Sequence, residues 1–408
     1  MSIAGDQTTD SAAGLAAKRD ERRAAGVACG AHALHDGFTD VIFILLPVWQ
    51  REFGLGYAEV GMLRGLYAGA MATFQIPAAM LAERVGAAAV LALGTALAGL
   101  GYGLAGFSTG FAMLVLALMV GGLGASAQHP LGSALIARAF AGPRSLKALG
   151  TYNFAGDIGK MTVPAAAALL LTVMTWQPTV MLLGAVGLVC AVVIFLFTPR
   201  YGAEPAKAAT NDAVGISAGP AAVSRIAFPV LLSIAVIDSA IRMAFLTFLP
   251  FLLIAKGATL PTVGLALSLV FAGGAAGKLV CAFIGARIGT IATVWLTESL
   301  TAVLILALLP LPLEPGLLLL PLIGVALNGT SSVLYGTVPE LVTPERRARA
   351  FGVFYTGSIG AGALAPVLFG AVGDVVGVPS ALVVVACVVL LTLPLAGVLK
   401  SRLPARAI

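Results

Sequence analysis

The chain has 408 residues, 59% of them hydrophobic and only 10% charged, with a formal net charge of +6. A water-soluble domain carries roughly 25% charged residues. This chain therefore cannot cover a globular surface of its size, which excludes soluble enzymes and nucleic-acid-binding domains and leaves a multi-pass protein of the lipid bilayer.

Residues 1–26 are polar and mixed in charge, with Lys18, Arg19, Asp20, Glu21, Arg22 and Arg23 in one run. A signal peptide needs a short apolar run after a basic start, so this stretch reads as a cytoplasmic tail. Apolar stretches of about 20 residues, each long enough to span, then recur. Helices are expected near 27–50, 58–82, 87–106, 109–140, 148–172 and 177–198, which make an N-terminal half over 27–198. Residues 199–225, rich in Ala, Gly and Pro, read as a cytoplasmic linker. Six more spans near 226–254, 261–284, 288–309, 316–338, 349–372 and 379–400 make a C-terminal half over 226–400, before a short tail at 401–408. The expected fold is all-α, with twelve transmembrane helices in two six-helix halves.

Basic residues favour the cytoplasmic side of a bilayer. With both termini inside, that side receives Arg84, Arg138, Arg144, Lys147, Arg200, Lys207, Arg225, Arg287, Arg346, Arg347, Arg349, Lys400, Arg402 and Arg406, while the outer loops receive only Arg51 and Lys256. The four scattered cysteines, Cys29, Cys190, Cys281 and Cys387, form no metal or disulfide pattern.

The first span carries most of the chemistry. Within Ala31–Pro47, the side chains of His32, His35, Asp36 and Asp40 fall inside an arc of roughly 140° on a helix. Ionisable groups inside a bilayer cost several kcal/mol by most estimates, so they face a cavity and serve a purpose. The third and last histidine, His129, follows Gln128 in the fourth span. Asn153, Asp157 and Lys160 share a face of the fifth. Asp157 with Lys160, and Asp238 with Arg242 in the seventh span, have the spacing of helical ion pairs. Each pair is either a structural lock or a place where an anion competes for the base while the freed acid takes a proton. Arg64 either snorkels outward or guards an entrance. Lys278, near the end of its span, reads as structural, and Glu298 as a helix contact or a protonated acid. Asn328, Ser331, Ser332, Tyr335, Tyr355 and Thr356 offer neutral hydrogen bonds from the second half. Three histidines and an aspartate also suit a divalent metal, but Arg64, Lys160 and Arg242 on the same cavity oppose it. No phosphate loop or nucleophilic triad is present, so neither a cofactor nor an enzymatic reaction is expected.

The halves repeat. Glu83-Arg84-Val85-Gly86 follows the second span and Ala286-Arg287-Ile288-Gly289 the eighth, and Pro143–Gly159 matches Pro344–Gly360 at the fifth and eleventh. Carriers built from such repeats place their site at the bilayer midplane between the halves. The chain resembles the major facilitator superfamily over essentially its whole length. Leu81–Gly86 is similar to that family's signature loop, with Ala79 at the leading glycine and Glu83 for the aspartate. The resemblance implies a gating role for Glu83, Arg84, Gly86 and Arg287. His32-x-x-His35-Asp36-Gly37 and Gly122–Pro130 resemble the fosmidomycin-resistance type of bacterial exporters, which implies an inner-membrane carrier that exports a small organic anion in exchange for protons. The glycine-proline antiporter signature of span five is not matched. The expected roles follow: proton coupling by Asp36, Asp40, His32, His35, Asp157 and Asp238, and anion binding by Arg64, Gln128, His129, Asn153, Lys160, Arg242 and Tyr355. Import by symport is the alternative. One chain contains a complete site, so a monomer is expected to suffice.

Overall fold

The computed structural model describes residues 6–140, 143–199, 226–343 and 346–401. All but the first residue of the expected linker over 199–225 lies outside the described residues, as do the extreme termini, with Arg200, Lys207, Arg225, Arg402 and Arg406.

The N-terminal half comprises α1 (Asp6–Phe53), α2 (Tyr57–Val85), α3 (Ala87–Ala105), α4 (Phe111–Ala125), α5 (Gln128–Ala139), α6 (Pro143–Val173) and α7 (Trp176–Phe197). The C-terminal half comprises α8 (Ala227–Ala255), α9 (Leu260–Ile288), α10 (Thr290–Leu308), α11 (Leu313–Thr337), α12 (Arg347–Val376), α13 (Val378–Val389) and α14 (Thr392–Lys400). Twelve of the resulting rods are long and apolar enough to cross a membrane, among the described residues. The expected span at 109–140 is broken at Ser126–Ala127. Pro130 causes this: it has no N–H for the Ser126 carbonyl one turn back, and its ring crowds that carbonyl. The last span is interrupted similarly at Leu390–Leu391.

The duplication is visible in helix lengths. α2 and α9 both run 29 residues, and α3 and α10 both run 19. α2 meets α3, and α9 meets α10, at a glycine with positive φ, Gly86 at 93° and Gly289 at 84°, a backbone that other residues adopt only with strain. Arg84 and Arg287 sit in the last turns of α2 and α9, where a cation complements the helix dipole. Glu83, Arg84 and Arg287 are exposed and form no ion pair among the described residues.

In lipid, helices associate by close packing of small residues rather than by the hydrophobic effect. The halves do this at one end only, where α1 turns into α2. There Gly61 and Gly65 of α2 lie against the backbone of Pro366 and Ala363 in α12, and Gly370 of α12 lies against Tyr57. Asp374 of α12 closes this end. Its carboxylate accepts the backbone N–H groups of Tyr57 at 2.5 Å and Ala58 at 3.0 Å, the free donors at the start of α2. A second seam joins α6 and α9, where the Ser268 hydroxyl donates to the Met161 carbonyl at 2.6 Å. Further along, a Cβ added at Gly69 or Gly360 would touch nothing within 4 Å. The halves thus part towards the end that bears the α2–α3 and α9–α10 turns.

Candidate functional site

The site lies where the halves begin to part. α1 delivers Asp36, which is 5% exposed. Lys160 of α6 reaches its Oδ2 at 3.2 Å, His32 of α1 at 3.4 Å, and His129 of α5 comes within 3.8 Å of Oδ1. The break between α4 and α5 is what turns His129 onto Asp36. Gly156 makes the room on α6: a Cβ there would stand 2.6 Å from Asp36 Oδ2 and 2.8 Å from the His32 ring.

His32 is held on two sides. Its ring stacks on Tyr152 with centroids 4.0 Å apart. Its Nδ1 bonds the Tyr152 carbonyl at 2.8 Å. A carbonyl only accepts, so Nδ1 carries the hydrogen, and Nε2 is the atom that faces Asp36. With one proton between Nε2 and Oδ2 that contact becomes a hydrogen bond. Without it, a lone pair faces a carboxylate. The contact between His32 and Asp36 has room for one proton between its two atoms.

Asp157 departs from the expected pairing. Lys160 is 4.0 Å away, whereas Lys278 of α9 donates to both Asp157 oxygens at 2.7 and 2.9 Å. Lys278, read from the sequence as structural, lies towards the Ile288 end of α9 and reaches across to α6. Lys160 thus lies between two acids, and Lys278 ties the second acid to the other half.

Asp40 and Arg64 form the far edge, 3.9 Å apart. Arg64 does not snorkel outward. It is buried, with its guanidinium over the Phe43 ring at 5.0 Å and donating to Met243 Sδ at 3.8 Å. Three acids, Asp36, Asp40 and Asp157, thus face three bases, Lys160, Lys278 and Arg64. Unpaired charges this deep would cost several kcal/mol each.

His35 and Gln128 turn away from this gap. They line a void of about 10 Å³ with Phe38, Gly94, Thr95 and Gly124 inside the N-terminal half. The 140° arc on α1 is wider than the face open to the gap, and His35 occupies the edge that packs against α3 and α4. His35 still meets the edge of His129, with centroids 4.9 Å apart. Asp238 and Arg242 pair at 2.9 Å, as their spacing predicts. Asn153 is exposed one turn from Asp157, and Tyr355 is 48% exposed beside Tyr335.

Ligand atoms of His32, Asp36 and His129 lie within 4.8 Å of one another, a span that a divalent ion can bridge. The Lys160 ammonium, held by the same carboxylate oxygen as His32, opposes a second cation there. Tyr152, Gly156, Met243 and Lys278 are the site residues that sequence reasoning missed. Of these only Lys278, a charge within an apolar run, carried a signal.

The sequence profile of the Major Facilitator Superfamily matches residues 28–338 and again 231–407. The chain belongs to this superfamily. It is accordingly a multi-pass membrane protein of a class that carries small solutes and is usually monomeric. Two relatives come from Mycobacterium tuberculosis. An uncharacterised MFS-type transporter is 28% identical over 167 residues, or 40% of this chain, and the multidrug resistance protein Stp is 30% identical over 138 residues, or 34%. The matched stretches span only 28% and 26% of those relatives' lengths. Among solved structures, a bacterial homologue of the human lysosomal transporter Spinster, inward-facing and occupied, superposes with a TM-score of 0.79 at 15% identity, covering 94% of this chain and 97% of that one. The nucleoside transporter NupG gives 0.75 at 14% identity, covering 94% and 99%. The human organic anion transporter MFSD10 gives 0.60 at 17%, covering 92% and 99%.

Proposed function

We propose that this superfamily member is a proton-coupled carrier of a small organic anion, working by alternating access in a bacterial inner membrane with both termini cytoplasmic. On that orientation the closed Asp374 end is outer and the parted end faces the cytoplasm. The observation that carries the reading is Lys160, 3.2 Å from Asp36 and 4.0 Å from Asp157, next to the proton seat formed by His32 and Asp36.

The three acids and three bases balance. A site of zero net charge crosses the low-dielectric middle of a membrane at the least cost. An added anion breaks that balance, and one proton restores it. Protonated Asp36 no longer holds Lys160, and the freed ammonium accepts the anion. Proton and anion therefore favour each other's binding, which is the coupling sign of a symporter, and an inward proton gradient drives uptake. Asp40, Asp157 and Arg64 complete the balance. Asn153, His129, Arg242 and Tyr355 line the approach.

Export by proton antiport, with a drug-like anion as cargo, is the second reading. It is favoured by the similarity to a multidrug resistance protein, but in it the proton-loaded site would have to reorient with a net positive charge.

The experiment is proton movement in proteoliposomes with a trapped pH dye. Phosphonates such as fosmidomycin are added first, then mono- and dicarboxylates, with Asp36→Asn as control. Protons moving with the anion support symport. Movement in opposite directions establishes export. A response to divalent metals alone refutes the anion reading.

A further inference from the structure

His35 and Gln128 face away from the central gap and are 7% and 3% exposed. His35 Nε2 and both polar atoms of the Gln128 amide are buried with no hydrogen-bond partner in the protein. A buried polar atom left in this way has given up its solvent and gained nothing in return. Both side chains line the same void of about 10 Å³, together with Thr95 of α3. The Thr95 hydroxyl donates to the Leu91 carbonyl at 2.9 Å, which leaves its oxygen lone pairs to accept. The Gly124 carbonyl of α4 also lies at this wall: a Cβ at Gly94, another lining residue, would stand 2.6 Å from it. The other lining residues, Ala31, Leu34, Phe38 and Ala98, are apolar.

A space of this size takes a single water molecule, and a buried water needs several polar partners. The walls supply them: an imidazole nitrogen, an amide that both donates and accepts, and a hydroxyl oxygen. The void is too small for a solute, and no carboxylate lines it to balance a cation. We infer that His35, Gln128 and Thr95 bind one internal water molecule behind the gap, and that this water positions His129 on Asp36. The second part rests on where His129 sits. It follows Gln128 directly at the start of α5. Its ring stands edge-on to His35, with centroids 4.9 Å apart and planes at 90°. On its other side it meets the edge of His32 at 5.3 Å and comes within 3.8 Å of Asp36 Oδ1. A water bonded to His35 and Gln128 braces the ring neighbour and the chain neighbour of His129 at once. The helix ladder is weak at this turn, where the Ala127 N–H reaches the Gly124 carbonyl at 3.5 Å. The water ties the start of α5 to α1 and α3 where that ladder lapses.

The inference holds whichever solute is carried, and its test needs none. A short X-ray pulse splits bound water in place, and the hydroxyl radical oxidises the side chains it touches. Mass spectrometry of the reconstituted full chain then reads the oxidised positions. Phe38, 1% exposed, lines the void, whereas Phe43, 0% exposed, does not. We expect Phe38 to be oxidised well above Phe43, and to fall to the level of Phe43 in Gln128→Leu and in Thr95→Val. The placement of His129 is read by its rate of modification with diethyl pyrocarbonate, which its 43% exposed side chain admits. That rate is expected to rise several-fold in both variants. Thr95→Val removes one hydroxyl on α3 at nearly constant size, and it covers the case in which Gln128→Leu does not fold. A Phe38 as inert as Phe43 in the parent chain, or one oxidised equally in parent and variants, overturns the water site. Loss of Phe38 oxidation with an unchanged His129 rate overturns the positioning role.

Discussion

Lys278 and Asp157 belong to different halves of the chain and meet with the lysine ammonium 2.7 and 2.9 Å from the two carboxylate oxygens. This pair bridges the halves at the edge of the gap, and it has to break and re-form as the halves move. Removing one partner leaves the other without its counter-charge. A charge-assisted hydrogen bond is worth about 1.5–3 kcal/mol, so Lys278→Ala and Asp157→Asn are each expected to lower transport about tenfold or more. The swap that places Lys at 157 and Asp at 278 restores a substantial part. Uptake assays on the three variants check this, and a swap no better than the single changes refutes a direct pairing.

Gly156 leaves no room for a side chain beside Asp36. Alanine there puts a methyl group 2.6 Å from Asp36 Oδ2. Overpacking of this kind costs about 1–3 kcal/mol, and it falls on Asp36 and His32 rather than on the scaffold. Gly156→Ala is expected to express and fold yet lose most transport. A thermal melt lowered by only a few degrees from the parent, measured beside the uptake assay, checks both halves of the statement.

Asp36→Asn keeps the size of the side chain and removes its charge. Lys160 is then permanently available and the proton seat is lost. Anion exchange across the membrane without a gradient is expected to continue, whereas accumulation driven by a pH gradient disappears. Counterflow and gradient-driven uptake, measured on the same vesicles, separate the two. Equal loss of both would make Asp36 a scaffold residue.

Asp374→Ala removes the acceptor for the Tyr57 and Ala58 N–H groups. The closed end should then open more often, by roughly tenfold for about 1.4 kcal/mol. A cysteine introduced at Ala363, on that seam, should react correspondingly faster with a water-soluble thiol reagent. An unchanged labelling rate means that the glycine seam alone holds the end shut.

Helix number and the duplication were legible because they rest on hydropathy and on repeated loops such as Glu83–Gly86 and Ala286–Gly289. The cluster on α1 was legible because polar groups in an apolar run stand out. Partners were not. Asp157 and Lys160 have helical spacing, yet Asp157 binds a lysine more than a hundred residues away, and only the rotation of α6 against α9 decides that. His35 shows the same limit: sequence gives its angle on α1 but not which part of that arc α3 and α4 cover.

The latch at Asp374 has a genetic consequence. Its donors are backbone N–H groups, which every residue except proline supplies. Substitutions at Tyr57 or Ala58 leave the bonds possible, and only proline at either position deletes a donor. Mutants selected for altered opening of this end should therefore accumulate at codon 374 and spare codons 57 and 58, although all three residues make the same contact.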